Sequence, residues 1–251
     1  MTAHRIASPL ICILVALSAI FGATRLEAAP ISLSINAPNF LIPIGGQSGV
    51  LDVYANGTAV ASGGFNALGS QTYTVAANST SSGELLLNFH FSGFPLGDPN
   101  YEITQAILRL AVYDLDFQTD TITSRVTLKE TATITSGGGN PLAINLKNYL
   151  PTTTTPTDDR LVTLNPIPLI PAPLPAGYFD DPFVLSIRMT AQVWNTGYQA
   201  VTLVNTPEKI ISTLKMDVTT ERVPEPSSML LFGAGLAMVG AYRSRRRLGS
   251  A

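Results

Sequence analysis

The chain has 251 residues, of which 45% are hydrophobic and 13% charged, and its formal net charge is −2 at pH 7. No basic cluster occurs before the last residues, so nucleic acid is excluded as an expected partner. The single cysteine is Cys12, which leaves the rest of the chain without a disulfide or a thiol nucleophile.

The first 28 residues are predicted to be a signal peptide with a helical apolar centre. His4 and Arg5 precede an apolar run at 10–23, and the small residues Ala28 and Ala29 follow it. This order is typical of a secretory signal, and we expect cleavage after Ala28. An uncleaved N-terminal anchor is the alternative interpretation, and both interpretations export the segment that follows.

Residues 29–221 are predicted to form one exported β-domain. Apolar and polar residues alternate at 31–36, 122–128, 183–194 and 212–219. Alternation with period two and Thr-rich outer faces is typical of antiparallel strands that have one buried side. The predicted fold class is therefore all-β, an antiparallel β-sandwich with jelly-roll or Greek-key connections. In the clearest segment the residues predicted to point inward are Phe183, Leu185, Ile187, Met189, Ala191 and Val193.

Breakers divide the remaining predicted strands. Further strands are predicted at 50–54, 72–76, 84–91, 106–114, 161–164 and 198–204, and 78–83 is interpreted as a break between two of them. The segment 140–150 is the best candidate for a short helical turn. A Pro/Thr-rich stretch at 151–177 is interpreted as a long surface loop within the domain, although a linker between two domains is the alternative.

An acidic cluster at the end of a predicted strand is a candidate metal site. Asp114, Asp116 and Asp120 offer oxygen ligands at short spacing, and calcium takes about six to eight oxygens. The segment has neither the turn glycine nor the distal glutamate of an EF-hand loop, so a solvated strand end is the other interpretation. No cofactor besides this calcium ion is predicted.

Other side chains leave two alternative functions open, one a binding function and the other an enzymatic one. His90 lies alone in a predicted strand and is interpreted as a structural residue. Scattered aromatic residues, together with the aspartates, make a calcium-assisted carbohydrate-binding module the alternative function, and a polysaccharide hydrolase a weaker one. The aromatic residues that would form a sugar-stacking surface are Tyr54, Tyr73, Tyr101, Tyr178, Trp194 and Tyr198.

The C-terminal segment, 223–251, has three parts in a fixed order. A Pro-Glu-Pro motif comes first, then an uncharged apolar run at 228–242, then a cluster of arginines. About 15 apolar residues are few for a bilayer span, which usually needs about 20, so a short transmembrane helix is predicted. The arginines would stay on the cytoplasmic side and stop transfer. The motif residues are Val223, Pro224, Glu225, Pro226 and Ser227, and the stop-transfer residues are Arg243, Arg245, Arg246 and Arg247.

This order of motif, apolar run and arginines resembles the PEP-CTERM sorting signal. The resemblance implies that the chain is a substrate of exosortase, a membrane-embedded processing enzyme, and that cleavage falls near the Pro-Glu-Pro motif. It also implies transient anchoring in the inner membrane, a final location at the cell surface or outside the cell, and association with exopolysaccharide and biofilm matrix. We therefore predict a non-enzymatic exported protein of the cell envelope or matrix.

Overall fold

The structure, a computed structural model, describes residues 31–92, 101–113, 119–138, 140–152, 161–169, 183–222, 233–236 and 238. Strands account for 66% of it, the sheets are antiparallel with one exception, and helix is nearly absent. The predicted all-β class is confirmed. The predicted signal helix at 1–28 and most of the predicted transmembrane helix lie outside the described residues.

The described residues form strands and one short helix in the following order. The elements are β1 (Ile31–Asn36), β2 (Ser48–Tyr54), β3 (Ala59–Gly63), β4 (Gln71–Val75), β5 (Ser79–Phe91), β6 (Tyr101–Tyr113), β7 (Thr119–Thr123), β8 (Val126–Gly137), β9 (Asn140–Asn145), the 3-10 helix η1 (Leu146–Tyr149), β10 (Leu161–Thr163), β11 (Ile167–Pro168), β12 (Phe183–Asn195), β13 (Val201–Asn205) and β14 (Ile211–Arg222).

The larger sheet is organised around two long strands. Its order is β3-β2-β5-β12-β8-β7, and β9 also pairs with β8. Strands β5 and β12 pair antiparallel along their whole length, from Ser79 opposite Asn195 to Phe91 opposite Phe183. Strand β2 pairs parallel with β5, which the prediction of purely antiparallel strands did not include.

Two smaller sheets complete the described structure. One has the order β1-β14-β6-β10, with β11 also paired to β6. The other contains β13 and β4 alone. Strand β10 confirms the strand predicted at 161–164, and β11 was not predicted. Both lie inside the Pro/Thr-rich stretch that was interpreted as a loop, and both pair antiparallel with β6.

The core follows the alternation of the long strands. Strand β14 buries Leu214, Met216 and Val218, as the sequence predicts. Strand β5 buries every second residue from Leu85 to Phe91. In β12 all six residues predicted to point inward are buried, because successive side chains of a strand lie on opposite faces. These six are Phe183, Leu185, Ile187, Met189, Ala191 and Val193.

One predicted element is wrong, and a second is confirmed. The segment 122–128 was predicted as one strand, but a turn at 124–125 divides it into the β7–β8 hairpin. Thr123 Oγ1 accepts hydrogen bonds from the backbone N–H groups of Arg125 and Val126, and this local side-chain contact stabilises the turn. Ile122, which the single-strand prediction placed on the inward face, is exposed. In the segment 140–150 strand β9 comes first, and the predicted short helical turn follows it as the 3-10 helix η1, which the Asn145 side chain caps.

Residues 79–83, most of the predicted break, belong to strand β5. The backbone turns at Asn78, whose φ is 48°, and β5 begins at the next residue. Gly83 lies within β5 where the backbone of Pro43 approaches it, so glycine here serves a close approach and does not end the strand.

The chain divides into two compact units. The larger unit contains residues 30–97 and 105–218, and therefore every part of the three sheets that falls within those two ranges. In the smaller unit the described residues are 101–104, 219–222, 233–236 and 238, and there Thr104 Oγ1 donates a hydrogen bond to the Thr219 carbonyl (3.4 Å). Residues 233–236 are helical. Within the described ranges, no helix has the length and hydrophobicity that crossing a bilayer requires.

Candidate functional site

The segment that carries the sorting motif follows the last strand directly. Strand β14 ends at Arg222, and Val223 is the next residue. Val223–Ser227 and the four stop-transfer arginines lie outside the described residues. The order of motif, apolar run and arginines is therefore a property of the sequence, and the described fold contributes the strand that precedes it.

A row of hydrogen-bonded polar side chains crosses the outer face of the larger sheet. Asp52 of β2, Asn88 of β5 and Ser186 of β12 stand opposite one another in register. Ser186 Oγ donates to Asn88 Oδ1 (2.8 Å), and Asn88 Nδ2 donates to Asp52 Oδ1 (3.1 Å). His90 Nε2 lies 2.8 Å from the same Asp52 oxygen. We call Asp52, Asn88, His90 and Ser186 the polar row.

The histidine end of the polar row borders a small cavity. The His90 ring stacks on Tyr54 with ring centroids 4.5 Å apart and an angle of 19° between the planes. The cavity has a volume of about 210 Å³ and is lined by Tyr54, Ala55, Asn56, His90 and Ser92. Pockets for drug-sized ligands usually measure at least about 300 Å³, so this one suits a few waters or a very small molecule.

The polar row does not have the geometry of a nucleophilic triad. A serine nucleophile needs a hydrogen bond to its general base. Here Ser186 is buried and donates to an amide, and Asn88 and Asp52 separate it from His90. Each member instead satisfies the polar atoms of its neighbour, which supports the interpretation of His90 as a structural residue.

The predicted calcium ligands are only partly described. Asp120 lies in β7 opposite Leu128 of β8. Asp114 and Asp116 lie outside the described residues, so the site stays a prediction. In the part of the chain that the structure describes, no three His, Cys, Asp or Glu side chains come close enough together to hold a metal ion.

The aromatic residues considered for sugar stacking are spread over the β-domain. Tyr54 stands opposite His90 and Trp194 opposite Thr80, so the two rings lie near opposite ends of β5, roughly 33 Å apart along the strand. Tyr73 is half-buried, and this burial, with the nearby Glu130 charge, raises its pKa to about 12.

Tyr198 is the most exposed of the aromatic residues in this set whose side chains the structure describes. Its exposed fraction is 82%, and the Arg125 guanidinium lies 5.7 Å from its ring centroid. The Tyr101 side chain and Tyr178 lie outside the described residues. Because Tyr54 and Trp194 lie near opposite ends of β5, the two rings do not share one stacking surface.

Sequence reasoning missed Asp52, Asn88 and Ser186 as interacting residues. Each occupies an outward position of a strand, and this much was readable from the alternation. Their contact depends on the register between three strands that are distant in sequence. The parallel pairing of β2 with β5, which aligns Asp52 with Asn88, has no local signal in the sequence.

Comparison with known proteins identifies the C-terminal segment. The family model of the PEP-CTERM protein-sorting motif matches residues 222–247. The match includes all the residues of the Pro-Glu-Pro motif, the apolar run and the four arginines. No curated protein matches the chain.

Proposed function

We propose, from the premise that this chain is a PEP-CTERM sorting-signal protein, that it is a non-enzymatic component of the cell envelope or extracellular matrix. The signal indicates export across the inner membrane, processing by exosortase, and a surface or extracellular location. The match of residues 222–247 to the sorting motif is the observation that carries this proposal.

The three parts of the signal have physically distinct roles in the proposal. Pro224 and Pro226 restrict the backbone and favour an extended peptide, the shape that a processing enzyme can bind in a cleft. The apolar run at 228–242 forms a short membrane helix that holds the motif close to the bilayer until it is processed. The arginines beyond it stop translocation because a cationic flank stays on the cytoplasmic side.

The β-domain is the exported part, and we propose that its two main sheets pack face to face as a sandwich with Greek-key or jelly-roll connections. The buried alternate residues of β5, β12 and β14 support this arrangement, since each sheet has an apolar face to cover. Ser186 is buried and its hydroxyl is hydrogen-bonded to the side-chain amide of Asn88, which supports a non-enzymatic role. We also propose that the protein associates with exopolysaccharide, and the sorting signal alone supports this part of the proposal.

The test is deletion of residues 224–251, followed by cell fractionation and intact-mass measurement. The wild-type product at the cell surface or in the medium is expected to have lost the arginine-tipped tail. The variant that lacks residues 224–251 is expected to be exported but to be absent from the cell-surface and medium fractions. A variant with lysine at all four stop-transfer positions keeps the charge and is the matched control, expected to behave as the wild type. An unchanged distribution after the deletion, together with an intact tail in the wild-type product, would contradict the proposal.

A further inference from the structure

We propose that strand β3 is an interface through which two copies of this chain pair edge to edge. Among the described strands, β3 stands at one end of the larger sheet and pairs with β2 alone. An edge strand presents a row of backbone N–H and C=O groups that another chain can bind. The proposal concerns the β-domain and does not depend on the sorting signal.

The hairpin between β2 and β3 determines which backbone groups of β3 point outward. Tyr54 N–H donates to the Thr58 carbonyl, and Gly57 N–H donates to the Tyr54 carbonyl, both at 2.9 Å. Gly57 has a φ of 85°, as a type I turn with a glycine bulge requires. Bonded and non-bonded pairs alternate along antiparallel strands, so the Val60 backbone groups face β2. Those of Ala61, one residue further, point away from it.

Strand β3 lacks the usual protection of an edge. No charged side chain occurs between Asp52 and Glu84, and β3 contains no proline. Its Val60 side chain is 47% exposed. By contrast β7, at the other end of this sheet order, contains Asp120. Charged residues and prolines on edge strands are what native proteins use to prevent pairing with another chain.

A second copy of the chain is the occupant that this strand fits. In a symmetric dimer a charged residue near the two-fold axis meets its own copy, so an uncharged strand suits self-pairing. With the axis beside Ala61, the two Ala61 residues would exchange both of their N–H···O=C bonds.

The interaction is expected to be weak and dependent on concentration. Stable interfaces bury about 800 Å² on each partner, whereas β3 contributes only five residues. We therefore expect a monomer–dimer equilibrium with a dissociation constant in the micromolar range or above. Confinement of the exported chain to a surface would raise its effective concentration and favour the dimer.

Sedimentation equilibrium of the purified exported protein over about 5 to 500 μM is the test. Ala61→Pro removes the outward N–H and is expected to weaken dimerisation at least about tenfold, without loss of the β2 ladder. Ala61→Ser changes the same residue but keeps the N–H, so it is the matched control and should dimerise as the wild type does. Thermal unfolding of each variant checks that the fold is intact.

A second pair of variants covers the case in which Ala61→Pro does not fold. Val60→Lys places like charges near the axis and should weaken the dimer, the more so at low salt. Val204→Lys adds the same charge to a valine of β13 that is 70% exposed and should leave dimerisation unchanged. A wild type that remains monomeric over the whole range, or equal dimerisation of Val60→Lys and Val204→Lys, would overturn the proposal.

Discussion

At the scale of single residues, the buried amide of Asn195 lies within hydrogen-bond distance of four backbone groups. Its Nδ2 lies 2.9 to 3.2 Å from the carbonyls of Val75, Ala76 and Gln199. Its Oδ1 accepts from the Gly197 backbone N–H at 2.9 Å. One side chain thus joins the end of β4 to the loop after β12. A buried carbonyl that loses its partner is costly, so this asparagine stabilises the loop strongly.

Replacement of Asn195 by alanine is expected to lower the free energy of unfolding by about 3 kcal/mol, because the buried Val75 carbonyl and the buried Gly197 N–H lose this partner together. Urea titration measures the loss. Asn205→Ala is the control, since the Asn205 side chain donates one long hydrogen bond, 3.4 Å to the Ile42 carbonyl, and should cost less than about 1 kcal/mol. Equal losses for the two variants would be evidence against this role of Asn195.

The carboxylate of Asp217 makes stability depend on pH. Ser32 Oγ donates to Asp217 Oδ1 (2.7 Å) and Arg109 Nε donates to Oδ2 (2.8 Å). The Ser32 hydrogen bond first, and then Arg109, hold the pKa of Asp217 below its usual range. The stabilisation is therefore complete above the unfolded-state pKa of about 3.9 and is lost as the pH falls through the lower folded-state pKa.

Asp217→Asn is expected to lower the Tm at pH 7 by at most about 3 °C, because the site is near the surface. The difference from the wild type should shrink as the pH falls from about 4 into the range where the folded wild type also takes up the proton. Ser32→Ala removes the largest cause of the lowered Asp217 pKa. Its Tm difference from the wild type should also shrink in acid, but from a smaller value at pH 7. Thermal unfolding at a series of pH values checks both variants, and a difference that stays constant in acid would contradict the assignment.

At the scale of elements, β5 continues through a segment that its composition marks as a break. Residues 79–83 are small and polar, yet they pair with β12 in register. Thirteen consecutive pairs between β5 and β12 supply backbone hydrogen bonds that local propensity alone would not predict. The glycine in this segment is explained by the neighbouring backbone of Pro43 rather than by a turn.

Gly83→Ala is expected to destabilise the protein by about 2 kcal/mol, since the added methyl group would overlap the Pro43 carbonyl and force the backbone to move. Gly64→Ala is the matched control, because the nearest atom to its new methyl group would be the Ser48 carbonyl oxygen at 3.8 Å. That variant should stay within about 0.5 kcal/mol of the wild type. Urea titration of both variants tests the expectation, and an equally small effect at Gly83 would be inconsistent with the close approach.

At the scale of the whole molecule, an exported chain must be stable without a disulfide. Cys12, the only cysteine, precedes the β-domain, so burial of apolar side chains has to supply the stability. The long strands β5, β12 and β14 do this with alternate residues. The sorting signal stands apart from that core in sequence, after the last strand.

The sequence by itself determined the sorting signal and the β class of the domain. A linear signal is recognised by its order of residues, and the inward face of a strand such as β12 follows from period two, so both are local properties. The tertiary structure decided what depends on strand register, because pairing joins segments far apart in the chain. The polar row, the parallel partner of β2 and the one-sided pairing of β3 are of this kind. Hydropathy cannot distinguish between registers that bury the same residues, and long-range packing selects one of them.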